Sequence, residues 1–173
     1  MTTEEVIKKL ASLDRYMKSC KLGYVVTGTA GLMIQGALPE NYEVHDIDII
    51  IPVIPELQSR EKVEEELKKV ELLGNVTTRS SFGAEEYRDK VYFFCVEGVV
   101  VNAFISEEEN SKNLRFNKIE PYVTYLLDGN YKDNFILAVH FVNDILEAKF
   151  KIGRKKDYEF YVRLVDFLGK KLN

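Results

Sequence analysis

The sequence has no tryptophan, only two histidines and only two cysteines among its 173 residues. With their neighbours, His45 and His140 cannot be assembled into a Ser–His–Asp nucleophile set. We interpret His45 as a rim or structural residue and His140 as a residue at the start of a helix. Cys20 and Cys95 lack metal-ligand spacing, and Cys95 lies in an apolar run that predicts a buried thiol. This cysteine usage favours a reduced, cytoplasmic setting.

Long apolar runs are also missing. The longest hydrophobic stretches have the length of a strand, so no segment is predicted to cross a bilayer. The N-terminal residues Thr2–Glu5 are acidic and lack the basic-then-apolar pattern of a signal peptide. The 4 prolines and 10 glycines are sparse, which argues against long disordered stretches. These absences predict one soluble domain, spanning residues 1–173 and large enough to bury a core.

Positive charge is in short supply, since the formal net charge is −4. This balance argues against general binding of nucleic acids. The segment Leu146–Asn173 is an exception, because it carries eight basic and four acidic residues. A basic segment on an acidic body could neutralise a triphosphate or could simply be a solvated helix face, and charge alone favours the solvated face.

One stretch in the first third of the chain carries the strongest pattern. Two apolar runs typical of strands, Tyr24–Thr27 and Ile47–Ile51, flank a turn of small residues at Gly28–Gly31. The apolar segment Leu32–Ile34 follows this turn and predicts a short helix. The order is therefore strand, turn, helix and strand.

Two carboxylates, Asp46 and Asp48, lie two residues apart at the start of the second run. Side chains alternate between the faces of a strand, so both point the same way with Cα atoms roughly 6.6 Å apart. Like charges this close repel, and the pKa of one should rise unless a cation neutralises them. Magnesium is usually held by one or two carboxylates and the phosphates of a substrate. We therefore predict that Asp46 and Asp48 bind Mg²⁺.

The upstream turn strengthens this prediction, because an Asp-x-Asp pair alone also occurs by chance on surface strands. Gly28 permits close approach of the backbone, and Thr29 opens a helix whose first N–H groups attract an anion. Carboxylates for a metal beside a turn for phosphate indicate chemistry on a nucleoside triphosphate. Gly28 and Thr29 are therefore candidate nucleotide-binding residues.

This arrangement resembles the polymerase-beta-like nucleotidyltransferase superfamily, which carries Gly-Gly-Ser or Gly-Gly-Thr, a helix, and an Asp-x-Asp strand. Gly28–Ala30 and Asp46–Asp48 are the matching residues. The nearest branch is that of the small bacterial nucleotidyltransferase-like proteins related to abortive-infection toxins. Thr27 stands where the family has its first glycine, and Tyr42 and Val44 stand where that branch usually has Arg and Thr.

The resemblance also implies a third carboxylate on a neighbouring strand, which would bind metal and activate the attacking hydroxyl. The matching run is Val99–Ile105, and its single polar residue is Asn102. An amide can bind a metal through its oxygen, but it is neither anionic nor basic at neutral pH. General-base assistance is typically worth roughly 10²–10⁴-fold in rate. Asn102 is therefore either a weakened catalytic residue or only a polar residue in a half-exposed strand.

A second motif lies near the C-terminus, where Lys149 and Arg154–Asp157 resemble the Lys…Arg-x-Lys-Asp pattern of the abortive-infection branch. Lys149 follows Val142 by seven residues and Ile145 by four, so it borders the apolar face of its helix. A lysine there either extends to solvent or has a buried anion as its partner. The resemblance implies that Lys149 and Asp157 bind nucleotide. For Asp157, the alternative is a helix N-cap.

Periodicity predicts the remaining elements. A capping box, Thr2-x-x-Glu5, opens the first helix, whose apolar face is Val6, Ile7, Leu10, Leu13 and Met17. Further predictions are a helix at Glu56–Leu73, strands at Val76–Arg79, Val91–Val96 and Val99–Ile105, a covering loop at Ser80–Asp89, an exposed connection at Glu107–Lys118, and short strands at Tyr122–Leu127 and Phe135–Val139. The last third is predicted to hold two helices. The first has an apolar stripe at Phe141, Ile145, Ala148 and Ile152. The second begins at about Asp157 and has an apolar stripe at Tyr161, Leu164, Val165 and Leu168.

These patterns and the resemblance predict an α/β (α+β) fold with a nucleotidyltransferase-like mixed sheet, helices packed on one face, and a C-terminal helical segment. The leading hypothesis is a protein that binds Mg²⁺ and a nucleoside triphosphate and transfers a nucleotidyl group to a hydroxyl of a protein or RNA. The alternative is a degenerate, non-catalytic member that binds nucleotide or a protein. A DxD-type glycosyltransferase is a remote third hypothesis, since the chain is short and lacks a nucleotide-sugar domain before the motif.

Overall fold

The computed structural model describes residues 1–39, 42–53, 58–72, 91–96, 98–106, 114–119 and 135–171. The elements within them are, in chain order, α1 (Thr3–Ser19), β1 (Val25–Thr27), α2 (Gly28–Ile34), β2 (Ile47–Pro52), α3 (Arg60–Leu72), β3 (Val91–Val96), β4 (Val99–Ser106), β5 (Leu114–Ile119), β6 (Phe135–His140), α4 (Val142–Ile152) and α5 (Lys155–Lys171).

The six described strands form one mixed sheet in the order β3-β4-β2-β1-β6-β5. Strand β2 pairs parallel with β4 and antiparallel with β1, and β1 pairs parallel with β6. The outer pairs, β3 with β4 and β5 with β6, are antiparallel. This architecture confirms the predicted α/β class with a mixed sheet.

The central strand β2 has two different faces. Ile47, Ile49 and Ile51 are fully buried and belong to one hydrophobic cluster that also contains α1 and α3 side chains. The intervening Asp48 lies on the opposite face, in register with Asn102 of β4 on one side and Thr27 of β1 on the other. Strand alternation therefore separates the core of the protein from the face that carries its polar cluster.

Helix α1 forms as predicted. Its capping box is complete, since the Glu5 N–H donates to Thr2 Oγ1 at 3.2 Å and the Thr2 N–H donates to Glu5 Oε2 at 2.7 Å. All five predicted apolar residues of the helix are buried. The helix ends at Ser19, close to the predicted end at Cys20–Gly23.

Three local predictions were wrong. Helix α3 begins at Arg60 rather than Glu56, because the Ser59 hydroxyl accepts the Lys62 N–H at 3.3 Å and caps the first turn. Strand β5 overlaps the end of the predicted exposed connection and pairs with β6, where it obtains backbone partners that a charged sequence did not suggest. Cys95 is only partly buried, because β3 lies at one edge of the described sheet.

The apolar stripes of the last two helices also differ from the prediction. Ile145 of α4 is buried, but Ala148 and Phe141, the residue before the helix, are exposed, so the helix is turned toward the side that carries Val142 and Lys149. Helix α5 starts at Lys155 and buries Phe160 and Leu164, whereas Tyr161 and Val165 face solvent. Gly153 ends α4 with φ 63°, as its place in the sequence suggested. His140 is the last residue of β6 rather than a helix residue.

The predicted strands Val76–Arg79 and Tyr122–Leu127 and the predicted covering loop Ser80–Asp89 lie outside the described residues. None of the helices in the described part of the chain combines the length and hydrophobicity needed to cross a lipid bilayer.

Candidate functional site

Three polar side chains predicted from the sequence meet on the outer face of β2 and β4. The Asn102 Nδ2 donates to Asp46 Oδ2 at 2.8 Å and to Asp48 Oδ1 at 2.9 Å. The parallel pairing of β2 with β4 places Asp48 directly beside Asn102, and Asp46 precedes β2 by one residue. The structure therefore brings both carboxylates to one point, and the amide of Asn102, itself buried, occupies that point.

Gly28 makes room for this cluster. It is the first residue of α2 and has φ +63°, which favours glycine. A Cβ atom at this position would lie 2.8 Å from both Cβ and Cγ of Asp48 and would overlap its carboxylate. The predicted close approach is therefore real, but in this structure the atoms that approach Gly28 belong to Asp48.

The Asp48 carboxyl is held in an unfavourable setting for a negative charge. Burial raises its pKa to about 6, and the neighbouring charge of Asp46 acts in the same direction. The hydrogen bond from Asn102 and the positive charges of Lys149 and Arg154 oppose this rise without cancelling it. A cation between the two aspartates would therefore relieve a real electrostatic cost.

Lys149 lies beside the first turn of α2. Its Nζ donates to Thr29 Oγ1 at 3.3 Å and lies 5.0 Å from the centre of the Phe160 ring. Phe160 in turn packs edge-to-face against Tyr42, with ring centres 5.2 Å apart. Burial lowers the pKa of Lys149, although the charges of Asp48 and Asp157 partly restore it. The structure therefore places Lys149 beside Thr29, another candidate nucleotide-binding residue.

Arg154 and Asp157 form an ion pair where α4 meets α5. The guanidinium donates to the Asp157 carboxylate at 2.6 Å and 3.1 Å, and the Arg154 backbone N–H donates to it at 3.2 Å. Burial acts to raise the pKa of Asp157, but these hydrogen bonds and the positive charges of Arg154 and Lys149 lower it overall. Asp157 is the third residue of α5, so the N-cap alternative was wrong; its carboxylate instead accepts the backbone N–H of Arg154, the residue before the helix. The predicted role of Asp157 in nucleotide binding stays a prediction.

Sequence reasoning gave Arg154 no role of its own. The pKa of its guanidinium is raised, mainly by the hydrogen bond to Asp157 and also by the charges of Asp48 and Asp46. Arg154 therefore connects the basic residues to the acidic pair electrostatically. The signal that could have found it is its place in the Arg-x-Lys-Asp motif, three residues before a carboxylate at a helix start.

The donor set fits one magnesium ion shared with a ligand. No cluster of three or more His, Cys, Asp and Glu side chains is placed to hold a metal among the residues that the structure describes. Asp46 and Asp48 nevertheless converge within hydrogen-bonding distance of a single atom. Two carboxylates completed by phosphate oxygens are a common magnesium arrangement. The Asn102 amide would have to present its oxygen, rather than its NH₂ group, to act as a further ligand.

The sequence matches no protein-family model and no curated protein. The structure is similar to a Thermotoga maritima protein provisionally named a nucleotidyltransferase, with a TM-score of 0.57, 20% identity and 96% of each chain covered. It is also similar to an antigenic nucleotidyltransferase-like protein from Paracoccidioides brasiliensis, with a TM-score of 0.53 and 15% identity over 95% of this chain and 76% of that one. Assignment to the abortive-infection branch stays a prediction. The chain has a nucleotidyltransferase-like fold.

Proposed function

We propose that this protein binds a magnesium–nucleoside triphosphate complex between its aspartate pair and Lys149, and transfers the nucleotidyl group slowly to a hydroxyl acceptor. One observation carries the proposal. Two carboxylates converge on a single point, while a partly buried lysine lies beside a threonine hydroxyl at the neighbouring turn. This is a site with a negative half for a cation and a positive half for an anion.

The charges of the site match a triphosphate and not a cation alone. Burial raises the pKa of Asp48, so a nearby divalent ion would stabilise its charged form. Burial lowers the pKa of Lys149, so a nearby anion would stabilise its charged form. Magnesium bound to a triphosphate supplies both partners in one ligand. Lys149 and the Thr29 hydroxyl would hold the terminal phosphates, with Arg154 adding positive charge nearby.

In the proposed reaction, the acceptor oxygen forms a bond to the α-phosphorus while the bond from that phosphorus to the pyrophosphate oxygen breaks. Pyrophosphate leaves, and the hydroxyl proton passes to a base. When bound, the magnesium ion would stabilise the charge that develops on the phosphates. Asp46 and Asp48 orient the complex, and Lys149 stabilises the negative charge of the leaving pyrophosphate.

The proton has no dedicated acceptor in this cluster. Asn102 occupies the strand position where the resemblance implies a third carboxylate, and an amide cannot take up a proton at neutral pH. Losing general-base assistance costs roughly 10²–10⁴-fold in rate. We therefore expect nucleotide binding to be easily measured and nucleotidyl transfer to be slow.

A binding protein without transfer activity is the second candidate. The observation that favours it is the paired hydrogen bond from Asn102, which satisfies both aspartates without any metal. The Lys149…Asp157 motif supports the proposed abortive-infection branch, and the cysteine usage supports a cytoplasmic setting; we propose a protein or RNA as the acceptor. Radiolabelled transfer from each nucleoside triphosphate to the protein itself and to added RNA distinguishes the two candidates.

Calorimetric titration with ATP, GTP, CTP and UTP, with and without Mg²⁺, tests the metal half of the site. The melting temperature is a second measurement, because a ligand that binds only the folded protein raises it by mass action. We expect Mg²⁺ and nucleotide to raise it together, and Asp48→Asn to abolish the rise. An unchanged Mg²⁺ response in Asp48→Asn would remove the aspartates from the proposed site.

The phosphate half is tested with Lys149→Ala. A compact positive charge near the terminal phosphates acts on charges that a monophosphate lacks, so triphosphate binding should weaken more than monophosphate binding. Lys151→Ala is the matched control, because Lys151 is on the same helix and its side chain pairs with Glu147 at the surface. Equal losses for both nucleotides in Lys149→Ala would mean that Lys149 has only a structural role.

A further inference from the structure

Helix α2 contacts the segment from β6 to α4 at three points along its length. Near its start, the Lys149 Nζ donates to Thr29 Oγ1 at 3.3 Å. In its middle, a Cβ atom added at Gly31 would lie 3.0 Å from Ile145 Cδ1. The third contact is made by Gln35, directly after α2, and lies at the end of β6. The partner residue moves back along the chain as α2 runs forward, so α2 and α4 lie antiparallel and in direct contact.

Gln35 joins the end of α2 to the point where α4 begins. Its Nε2 donates to the Gly31 backbone oxygen at 2.9 Å and to the His140 backbone oxygen at 2.8 Å. His140 ends β6, and α4 starts shortly afterwards at Val142. Because both acceptors are carbonyl oxygens, the amide must present its NH₂ group to them. One side chain therefore fixes the last turn of α2 to the start of α4.

The position of α2 depends on contacts of this kind. The helix has 7 residues, and helices this short are marginal in water without tertiary contacts. Strand β1, which leads into it, has only 3 residues. A helix with a free C-terminal end would shift against α4 and carry Thr29 away from Lys149. These two residues are the ones proposed to hold the terminal phosphates.

We propose that Gln35 is a positioning residue, which sets the spacing between Thr29 and Lys149 and thereby the affinity of the site for a triphosphate. This inference rests on the proposed function, which assigns the terminal phosphates to these two side chains. Gln35 acts through its neighbours, because its amide lies at the opposite end of α2 from Thr29. A binding group that is held loosely contributes much less than one that is fixed in place.

Gln58 provides a matched control in the same sheet. Its Nε2 also donates to two backbone oxygens, that of Gly23 at 3.1 Å and that of Pro52 at 2.8 Å. Gly23 precedes β1 and Pro52 ends β2, so this bridge lies at the end of the strand pair away from Thr27 and Asp48. Gln58→Met therefore removes the same kind of bridge without touching the candidate site.

Chemical labelling of the nucleotide-free protein tests the spacing directly. Acetylation of the half-buried Lys149, followed by peptide mass spectrometry, should be about threefold or more faster in Gln35→Met than in the wild type, because the amine becomes accessible when α2 and α4 separate. Lys151, which is exposed on the same helix, should react at an unchanged rate. Unchanged circular dichroism shows that the variants fold.

The control variant decides how the labelling is interpreted. Gln58→Met should leave Lys149 as protected as it is in the wild type, whatever it costs in stability. An unchanged Lys149 rate in Gln35→Met overturns the proposal. An equal increase in Gln35→Met and Gln58→Met also overturns it, because the effect would then follow from general destabilisation.

Calorimetric titration with ATP and AMP in the presence of Mg²⁺ measures the consequence for binding. Gln35→Met should bind ATP about tenfold more weakly, a loss comparable to one hydrogen bond to a charged group, and should bind AMP with little change. Added to Lys149→Ala, the same substitution should weaken ATP binding by at most about twofold, because the amine that it positions is gone.

The titration separates this inference from the proposed function. Equal losses for ATP and AMP in Gln35→Met overturn the positioning role, even if the wild type binds both nucleotides. A wild type that binds no ATP overturns the proposed function instead, whatever the labelling shows.

Discussion

Two carboxylates of the candidate site, Asp48 and Asp157, have pKa values shifted in opposite directions. Burial acts to raise the pKa of both Asp48 and Asp157. Asp48 faces another carboxylate and an amide, and its pKa rises to about 6. Asp157 faces the guanidinium of Arg154 through charge-assisted hydrogen bonds, and its pKa falls. The protein thus compensates one buried aspartate fully with its own residues, whereas the charges of Lys149 and Arg154 compensate the other only in part.

The difference distinguishes a structural charge from a binding charge. Asp157 and Arg154 complete each other and fix the start of α5, so a ligand has little to add to them. Asp48 is held by Gly28 and Asn102 beside a like charge, an arrangement that makes its ionisation costly and that a cation would relieve. This contrast is the physical reason why we propose a metal site at Asp48 and not at Asp157.

Gly28→Ala, beside Asp48, should lower the free energy of unfolding more than any other variant proposed below. The added Cβ would overlap the Asp48 carboxylate, which adds steric strain to the cost of a positive φ, and we expect a loss of roughly 3–4 kcal/mol in the free energy of unfolding. Gly36→Ala is the matched control, since Gly36 has φ +68° but a Cβ atom added there would meet nothing within 4 Å. Urea unfolding of both variants isolates the contact with Asp48, and equal losses would contradict it.

Asn102→Asp should increase the electrostatic repulsion at Asp46 and Asp48 by adding a third negative charge. The variant loses both hydrogen bonds from Nδ2 to the aspartates, so we expect the metal-free protein to be destabilised by roughly 3 kcal/mol at neutral pH. Its Mg²⁺-induced rise in melting temperature should exceed that of the wild type. Labelled nucleotide transfer should also increase, because an anionic ligand and a base are present.

The control for that experiment is Asn102→Ala, which removes the amide without adding a charge. Robust transfer by the wild type that Asn102→Ala leaves unchanged would show that the base lies elsewhere. It would also remove Asn102 from the reaction.

Asp157→Asn should remove the stabilising ion pair between Arg154 and Asp157. It weakens the charge-assisted hydrogen bonds from Arg154, and we expect a loss of about 2–3 kcal/mol in the free energy of unfolding, allowing for the partly exposed guanidinium. Asp166→Asn is the control, because the Lys170–Asp166 pair is exposed and typically contributes less than about 1 kcal/mol. Similar losses in the two variants, measured by urea unfolding, would mean that the Arg154–Asp157 pair is no stronger than a surface pair.

Asp48→Asn should have the smallest effect, and it depends on pH. Because the folded pKa of Asp48 is raised to about 6, the folded state holds its proton more tightly than the unfolded state. Ionisation of Asp48 therefore costs stability as the pH rises from about 4 to 6, by about 1–2 kcal/mol without metal. Relative to the wild type, Asp48→Asn should gain this amount across the window, and thermal unfolding at several pH values measures it. A constant difference would contradict the raised pKa.

The sequence predicted the acidic half of the site well because its signals are local. The spacing of Asp46 and Asp48, together with strand alternation, was sufficient to place both side chains on one face. The single polar residue in the run Val99–Ile105 pointed to Asn102, and parallel pairing brought it beside Asp48. These inferences needed only strand periodicity and the order of the elements.

The basic half was less predictable because it depends on how helices dock. Lys149 was found from its border position, but the rotation of α4 and α5 around their axes is decided by packing against residues far away in the chain. Both helices carry apolar residues around most of their circumference, so periodicity could not separate the core face of α5 from its exposed stripe. The pairing of β5 was missed because backbone hydrogen bonds, not its charged sequence, hold it.

The hydrogen bond from Lys149 to Thr29 joins residues 120 positions apart, whereas those of Asn102 join residues 54 and 56 apart. During synthesis from the N-terminus, the aspartate cluster can form once β4 has left the ribosome, before α4 has emerged from it. Lys149 follows Asn102 in the chain and is synthesised later. Such long-range contacts slow folding, so the nascent chain should pass through a period in which it has the acidic half of its site and no basic half.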